Sequence, residues 1–427
     1  MIDRYAISPM KDLWTPQAQY ERWLQVELAA LKAMEEQGSI PSGTFNSVKE
    51  RATVDIRRIQ SLEDEIHHDL LAFIRSLEEQ VGDPGRFIHY GLTSSDVKDT
   101  ALSLQMRDAL DIVIDKAGQL SSLLLGKAHQ YEEVVIVGRT HGMHAEPTTL
   151  GLKFFLWHKE LDRDITRLDR ARAVISVGKL SGPVGTYMQI PPEIEERVCQ
   201  ELRLVPAAAI SQILQRDRHA EVIFAVALTG ATLEKIALEI RHLSRTEISE
   251  VEEPLPEGSS SMPHKRNPIT SERICGLARV LRAHTQAALE NVALWHERDM
   301  SHSSVERIVI PDCFMAVHYM LVSTSKVIDG LLVDEGSIGR NLELSGDEIY
   351  SHLILSELVD GGLSRAEAHR SIAEATRRAR ADDVGLFDVL RADSRTMSFL
   401  EGRELHKESI LERLRNTSRR MIGDEWS

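Results

Sequence analysis

At 427 residues the chain is long enough to bury a large core in two to three domains, and its formal net charge of −15 opposes binding to nucleic acid or an anionic membrane surface. Any polyanionic ligand therefore needs a local basic pocket. Aromatic residues make up only 5% while Leu, Ala, Glu and Arg abound, which favours helix; the three cysteines, Cys199, Cys275 and Cys313, lack paired spacing, which excludes a cysteine zinc site and points to a reducing compartment.

The opening Met1-Ile2-Asp3-Arg4-Tyr5 has no apolar core behind a basic region and does not read as a signal peptide. The longest nearly apolar run, Val222 to Leu233, is shorter than the roughly 20 residues of a membrane span, so a soluble cytoplasmic protein is expected. Apolar positions Trp23, Val26, Leu28, Ala30, Leu31 and Met34 predict an amphipathic helix over 15–37, stopping near Gly38 and Pro41. A second helix is predicted over 47–79 and carries Glu65-Ile66-His67-His68-Asp69. Neighbouring helical positions point about 100° apart, so this histidine pair does not make a shared metal site, and by itself it reads as a solvated polar face.

Gly82-Asp83-Pro84-Gly85 breaks the chain before His89-Tyr90-Gly91-Leu92-Thr93-Ser94-Ser95-Asp96. Thr93 and Asp96 fit a capping box, and the N–H groups of the helix they start suit a carboxylate or phosphate. Met106, Leu110, Val113, Ala117, Leu120 and Leu124 continue that helix over 96–131. A strand-like run at 134–137 then leads into Gly138-Arg139-Thr140-His141-Gly142-Met143-His144, which places His141 in a turn at the head of the next helix. No third ligand follows His141 and His144 at a metal spacing, so acid/base use of His141 is the better reading. The stripe Leu150, Phe154, Trp157, Leu161, Ile165 and Leu168 predicts a core helix over 147–177. The Gly- and Pro-rich stretch 176–192 is expected to carry site residues, and Gln212, before a helix over 218–248, reads equally as surface or ligand.

Gly258-Ser259-Ser260-Ser261-Met262-Pro263-His264-Lys265-Arg266-Asn267-Pro268 is a loop between long helices. Small hydroxyls, a bending glycine, a lysine and an amide are the parts of a site that removes a proton and holds the resulting oxyanion. Pro268 begins a helix over 268–297 with Glu272 on its first turns. The charged stretch Glu297 to Arg307 contains Arg298, Ser303 and Arg307, either a solvated surface or a clamp for phosphate or carboxylate, before a helix over 308–332. The five long stretches predict an all-α fold, an elongated helical bundle over 94–345 between an N-terminal helical domain, 1–93, and a C-terminal one, 346–427.

The loop from Gly258 to Pro268 resembles the signature G-S-S-x-M-P-x-K-x-N-P of the fumarase/aspartase lyase superfamily. A wider set resembles its adenylosuccinate lyase family: Arg4-Tyr5, His68-Asp69, His89, Thr93-Ser94, Thr140-His141, Gln212, Arg273 and Arg298/Ser303/Arg307. The resemblance implies an anti β-elimination that releases fumarate from adenylosuccinate, or from succinyl-aminoimidazole carboxamide ribotide, with no metal or organic cofactor. It further implies a homotetramer with each site built from three chains. Carried over, Ser259 is the base, His141 the acid, and Lys265, Asn267 and the loop N–H groups stabilise the serine alkoxide and the developing carboxylate charge. Glu272 orients the catalytic histidine. His68, with Asp69 and His67 beside it, and His89 contact phosphate or carboxylates; His68 also belongs to the catalytic group. Arg4, Tyr5, Arg298, Ser303 and Arg307 hold the nucleotide monophosphate, Thr93, Ser94, Gln212, Ser260, Lys265 and Asn267 fix the succinyl part, and Thr140 and Arg273 are further substrate-binding residues. Ser261 occupies the variable signature position and makes three serines in a row; register from Lys265 favours Ser259 as the base. Another fumarate-releasing lyase, a carboxymuconate cycloisomerase relative and a non-catalytic helical tetramer are the competing readings.

Overall fold

The computed structural model describes residues 1–254, 262, 265–400 and 406–423. After a 3-10 turn at Asp3–Tyr5 come α1 (Met10–Leu13), α2 (Pro16–Gln37), α3 (Thr44–Arg51), α4 (Ile56–Ile66), α5 (Asp69–Val81) and α6 (Ser94–Gln130). A hairpin of β1 (Val135–Thr140) and β2 (Met143–Thr149) leads to α7 (Leu150–Ile175), β3 (Val177–Gly178), α8 (Pro192–Leu202), β4 (Val205–Pro206) and α9 (Asp217–Leu243). There follow β5 (Val251–Glu252), α10 (Ile269–Glu290), α11 (Ser301–Asp329), β6 (Leu332–Val333) and α12 (Glu335–Glu343). The chain ends in α13 (Ser351–Asp360), α14 (Arg365–Asp382), α15 (Leu386–Ala392), α16 (Ser394–Leu400) and α17 (Lys407–Ile422). The fold is all-α, with strands confined to three two-stranded pairings among the described residues.

Local chemistry sets the helix ends. The Thr15 hydroxyl accepts from Ala18 N, Pro16 supplies a pre-set φ, and Gly38 ends α2 in the left-handed region at φ 78°. At the start of α6 the Asp96 carboxylate accepts from Thr93 N at 2.8 Å, one arm of the capping box expected from sequence, while Asp96 N donates to the Thr93 carbonyl at 2.9 Å. The stripe Met106, Leu110, Val113, Ala117, Leu120 and Leu124 is fully buried; each of its Met, Leu and Val side chains contributes roughly 1.5–3 kcal/mol relative to exposure.

Four boundaries differ from expectation. The predicted helix over 47–79 is three helices, because Ala52 to Asp55 is non-helical and His67 turns left-handed, at φ 56°, leaving His68 to cap α5. His141 does not head a helix; the chain makes β2 before α7 begins. The helix expected over 268–297 stops at Glu290, and the last long helix begins at Ser301 rather than 308, so Ser303 and Arg307 lie on its first turns. That helix, α11, is long and apolar enough to cross a membrane, a length missed by searching for uninterrupted apolar runs, but 67% of its most apolar window is buried inside the fold, as in a core helix.

Two compact units divide the chain. The first comprises Met1–Gly118, Asp162–Glu234 and Ile274–Ser323. Its core joins α2 to α5, the start of α6 and α8, with Tyr20, Trp23 and Phe73 packed ring on ring at centroid separations of 4.9 to 5.8 Å. The second comprises Gln119–Leu161, Lys235–Arg273 and Thr324–Ser427. Here Val135 and Val137 of β1 share a core with Ile354, Leu358, Ile372, Leu386 and Leu411 from the short terminal helices.

Candidate active site

In the first unit, a cavity of about 290 Å³ is lined by residues from α6 and the first turns of α11, including Lys98, Arg298, Ser303 and Arg307. The Asp299 carboxylate starts α11 by accepting from Ser301 Oγ, at 2.5 Å, and from the N–H groups of Trp295 and Ser301. The Ser301 hydroxyl bond leads these interactions in holding Asp299 at a pKa of about 2. With the helix so begun, Ser303 and Arg307 stand four residues apart on one face.

Asp69 is the hub beside this cavity. Its Oδ1 accepts from Lys98 Nζ at 2.5 Å and from Leu70 N at 2.8 Å, and its Oδ2 accepts from Arg307 Nη2 at 2.7 Å. Burial pushes the Asp69 carboxyl upward, but Lys98 and Arg307 outweigh it and hold the group down at about 2. Burial also pulls the Lys98 ammonium downward, against the Asp69 carboxylate. Gln212, ambiguous in sequence, accepts from Arg298 Nη1 at 3.3 Å. The Nε of Arg298 and the Nε1 of Trp14, which also lines the cavity, are buried with no hydrogen-bond partner among the described residues.

Arg216 lines the same cavity but is fully engaged. Its five N–H donors go to Asp99, Glu306 and the Leu214 carbonyl at 2.6 to 3.1 Å. Burial raises both carboxyls; the charge of Arg216 prevails at Asp99, which lies at about 2, and burial prevails at Glu306, which is raised.

None of the remaining sequence candidates of this unit lines the cavity. His89, left-handed at φ 62°, donates its backbone N–H to Glu27 Oε2 at 2.9 Å, and its Nδ1 lies 2.7 Å from Glu27 Oε1. His68 accepts from Leu71 N through Nδ1 at 3.3 Å, which leaves Nε2 for other partners, and His67 is exposed. Thr93 and Ser94 are half-buried at the head of α6. The wholly buried Lys179 ammonium pairs with Asp96 at 2.5 Å and donates to the Gln212 carbonyl at 2.7 Å, tying the Gln212 segment to that helix start. Arg4 is exposed and Tyr5 packs edge-on against Tyr319 at 5.2 Å; neither lines the cavity.

In the second unit, Thr140 and Met143 pair across a two-residue turn in which His141, at φ 56°, and Gly142, at φ 75°, are both left-handed, the geometry of a type I′ hairpin. His141 and Thr140 are exposed on this turn. Its base is fixed by Arg139, whose guanidinium makes a two-point pair with the buried Glu250 at 3.0 and 2.6 Å, while Asn341 donates to the same carboxylate at 2.9 Å. Gly138 is required beside a bulge there, since a Cβ would collide with the Glu146 carbonyl. Lys265, Asn267 and Glu272 line a second depression, of about 940 Å³, together with Arg241, His242 and Glu252. Glu253 caps α10 by accepting from Ser271 N at 2.7 Å and Thr270 N at 3.1 Å, which sets Glu272, itself exposed, on the first turn; Arg273 follows, half-buried. Ser259 and Ser260 lie outside the described residues.

Lys98, Glu27, Lys179 and the Arg216 group were not among the sequence candidates. Glu27 had a legible signal, because it falls on the apolar stripe of α2 four residues from both Trp23 and Leu31.

Comparison with known proteins gives the frame for these clusters. A family described as "Lyase" matches residues 5–282. The adenylosuccinate lyases of Thermotoga maritima and Synechocystis are 42% and 45% identical to this chain, each over 95% of both sequences, and that of Bacillus subtilis is 43% identical over 94% of both. Among solved structures, a fumarate lyase from Mesorhizobium superposes with a TM-score of 0.86 at 26% identity over 98% of this chain and 96% of its own. A 3-carboxy-cis,cis-muconate lactonizing enzyme from Pseudomonas putida gives 0.84 at 27% identity, over 97% and 94%. The separate fold likeness and the near full-length identity converge, and the chain belongs to the adenylosuccinate lyase family of the fumarase/aspartase superfamily.

Proposed function

We propose that this chain catalyses the elimination of fumarate from adenylosuccinate to give AMP, and the corresponding elimination from succinyl-aminoimidazole carboxamide ribotide, in purine nucleotide biosynthesis. The observation that carries the reading is identity of 42–45% with adenylosuccinate lyases over nearly the whole chain. The cationic cavity of Lys98, Arg298 and Arg307 supports it, because an acidic protein has little reason to gather three cations unless they meet an anion.

In this reading Ser259 takes the proton from the succinyl carbon next to a carboxylate, the C–N bond to the purine breaks, and His141 protonates the departing nitrogen. The electron pair of the C–H bond becomes the fumarate double bond, and the substrate carboxylate serves as the transient electron sink, so the chemistry calls for no metal or organic cofactor. Lys265 and Asn267 offset the charge that develops, and Glu272 steadies the imidazolium. Arg298, Ser303 and Arg307, with Arg4 and Tyr5, take the phosphate end. His67, His68, Asp69, His89, Thr93, Ser94, Thr140, Gln212, Ser260 and Arg273 complete the surroundings of the substrate. The protein works in the cytoplasm as a homotetramer with sites shared between subunits, organised as an N-terminal domain over 1–93, a central helical domain over 94–345 and a C-terminal domain over 346–427. Exposed apolar side chains on the long helices support assembly: Leu156, Phe224, Val280, Leu289 and Ile308 are each 38–62% exposed in the single chain.

The direct test is the ultraviolet change when purified protein meets adenylosuccinate without added metal, with fumarate quantified. Equimolar AMP and fumarate are expected. No turnover from a tetrameric sample would overturn the substrate assignment and direct the search to argininosuccinate, malate, aspartate and carboxymuconate.

A further inference from the structure

We propose that Lys98 is a direct ligand of the substrate's phosphate, and that Asp69 acts by holding Lys98 and Arg307 in place rather than by touching the substrate. The inference rests on the reading above that the cavity of Arg298, Ser303 and Arg307 receives the nucleotide's phosphate.

Lys98 lies one turn beyond Ser94 on α6, and its side chain, 22% exposed, lines the cavity. Two contacts fix it there: the Asp69 carboxylate at 2.5 Å and the face of the Trp23 ring, 5.2 Å from its nitrogen. Both Asp69 oxygens are committed, one to Lys98 and Leu70 N, the other to Arg307. A carboxylate so occupied has no donor to offer an anion and would repel one brought against it. Its effect is to space two cations that would otherwise repel each other. Lys98, Arg298, Arg307 and Arg216 carry four positive charges against the carboxylates of Asp69, Asp99 and Glu306, which leaves the cavity cationic toward a phosphate monoester of about −1.5 to −2 near neutral pH. Arg216 does not supply this role, since all five of its donors are satisfied within the protein.

The test compares the intact protein with Lys98→Met, which keeps the apolar stem, Lys98→Arg and Arg307→Met, using AMP, inorganic phosphate and fumarate as inhibitors of adenylosuccinate turnover. Lys98→Met is expected to raise KM and the inhibition constants of AMP and phosphate by about tenfold or more, as expected for a lost charge-assisted hydrogen bond. The fumarate constant and kcat should stay within about threefold, and Lys98→Arg should recover most of the loss. If Arg307→Met weakens AMP and phosphate while Lys98→Met does not, the role given to Lys98 is wrong and the placement of the phosphate stands. If neither substitution changes AMP or phosphate binding, the placement itself fails. An equal loss of fumarate and AMP affinity in Lys98→Met, with a lowered thermal midpoint, would show that Lys98 acts only through the fold.

Discussion

Three of the histidines singled out from sequence, His67, His89 and His141, occupy left-handed backbone conformations that cost a non-glycine residue energy. The structure holds His89 with a buried carboxylate that was not anticipated. Glu27 fixes both the backbone and the ring of His89, so its Nε2 is the ring nitrogen left for substrate. Replacing Glu27 with Ala should therefore lower kcat/KM by roughly 10- to 100-fold, the range seen when a partner that orients a functional histidine is removed. Glu27→Gln should retain much of the activity, because an amide can still accept from the backbone N–H; equal damage by both changes would mean that charge matters rather than position. At the signature loop, Ser259→Ala should abolish turnover while leaving adenylosuccinate binding near native, measured by calorimetry. Activity retained in Ser259→Ala and lost in Ser260→Ala would move the base by one residue. The residues proposed for this chemistry were read from residue type and spacing, and the place of Glu27 on its apolar stripe could have been read the same way; the partners that give Glu27 and Lys98 their roles lie far away in the chain, which spacing does not encode.

Helical periodicity located the long helices to within several residues because their stripes are buried on one side along their whole length. It failed where a backbone reversal involved no Gly or Pro. His67 ends α4 in a left-handed turn and His68 starts α5 as its cap, so the two histidines and Asp69 flank a helix junction rather than one turn of a helix. That junction lets Asp69, on the first turn of α5, meet Lys98 and Arg307. The connection between β3 and α8 is organised similarly by a residue that composition hides. Lys179, with neither it nor Asp96 exposed, ties the start of α6 to the Gln212 carbonyl. Removing one partner of a buried ion pair leaves an uncompensated charge, so Lys179→Met should destabilise the chain by about 3–5 kcal/mol in denaturant unfolding. Adding Asp96→Asn to that variant should restore part of the loss. Were the double variant no better than the single one, hydrogen bonds to the backbone, and not the ion pair, would be the main contribution.

For the molecule as a whole, the first unit carries a built-in sensitivity to acid. Burial, followed by the charge of Arg216, lowers His219 to about 3 and, in the same order, His302 to about 4. Unfolded, both titrate near 6.5, so between that pH and their folded values the unfolded chain binds more protons and stability falls as pH falls. Asp69 and Asp99, both held at about 2, add a further loss below the ordinary carboxylate pKa of roughly 3.9. The denaturant midpoint should already be lower at pH 5 than at pH 7, before those carboxylates contribute; equal midpoints would mean that the two histidines are not buried neutral. Assembly is tested separately. The second unit carries His141, while Ser259 comes much later in the sequence; with sites shared between subunits, we further propose that the serine and the histidine reach any one site from different chains. Mixing inactive Ser259→Ala and His141→Ala subunits under conditions of reversible dissociation should then recreate some sites with both groups intact. With random assembly each group has an even chance of being native, so about a quarter of native activity should return. If serine and histidine instead served a site from the same chain, every site would carry one lesion, and no mixture would regain turnover.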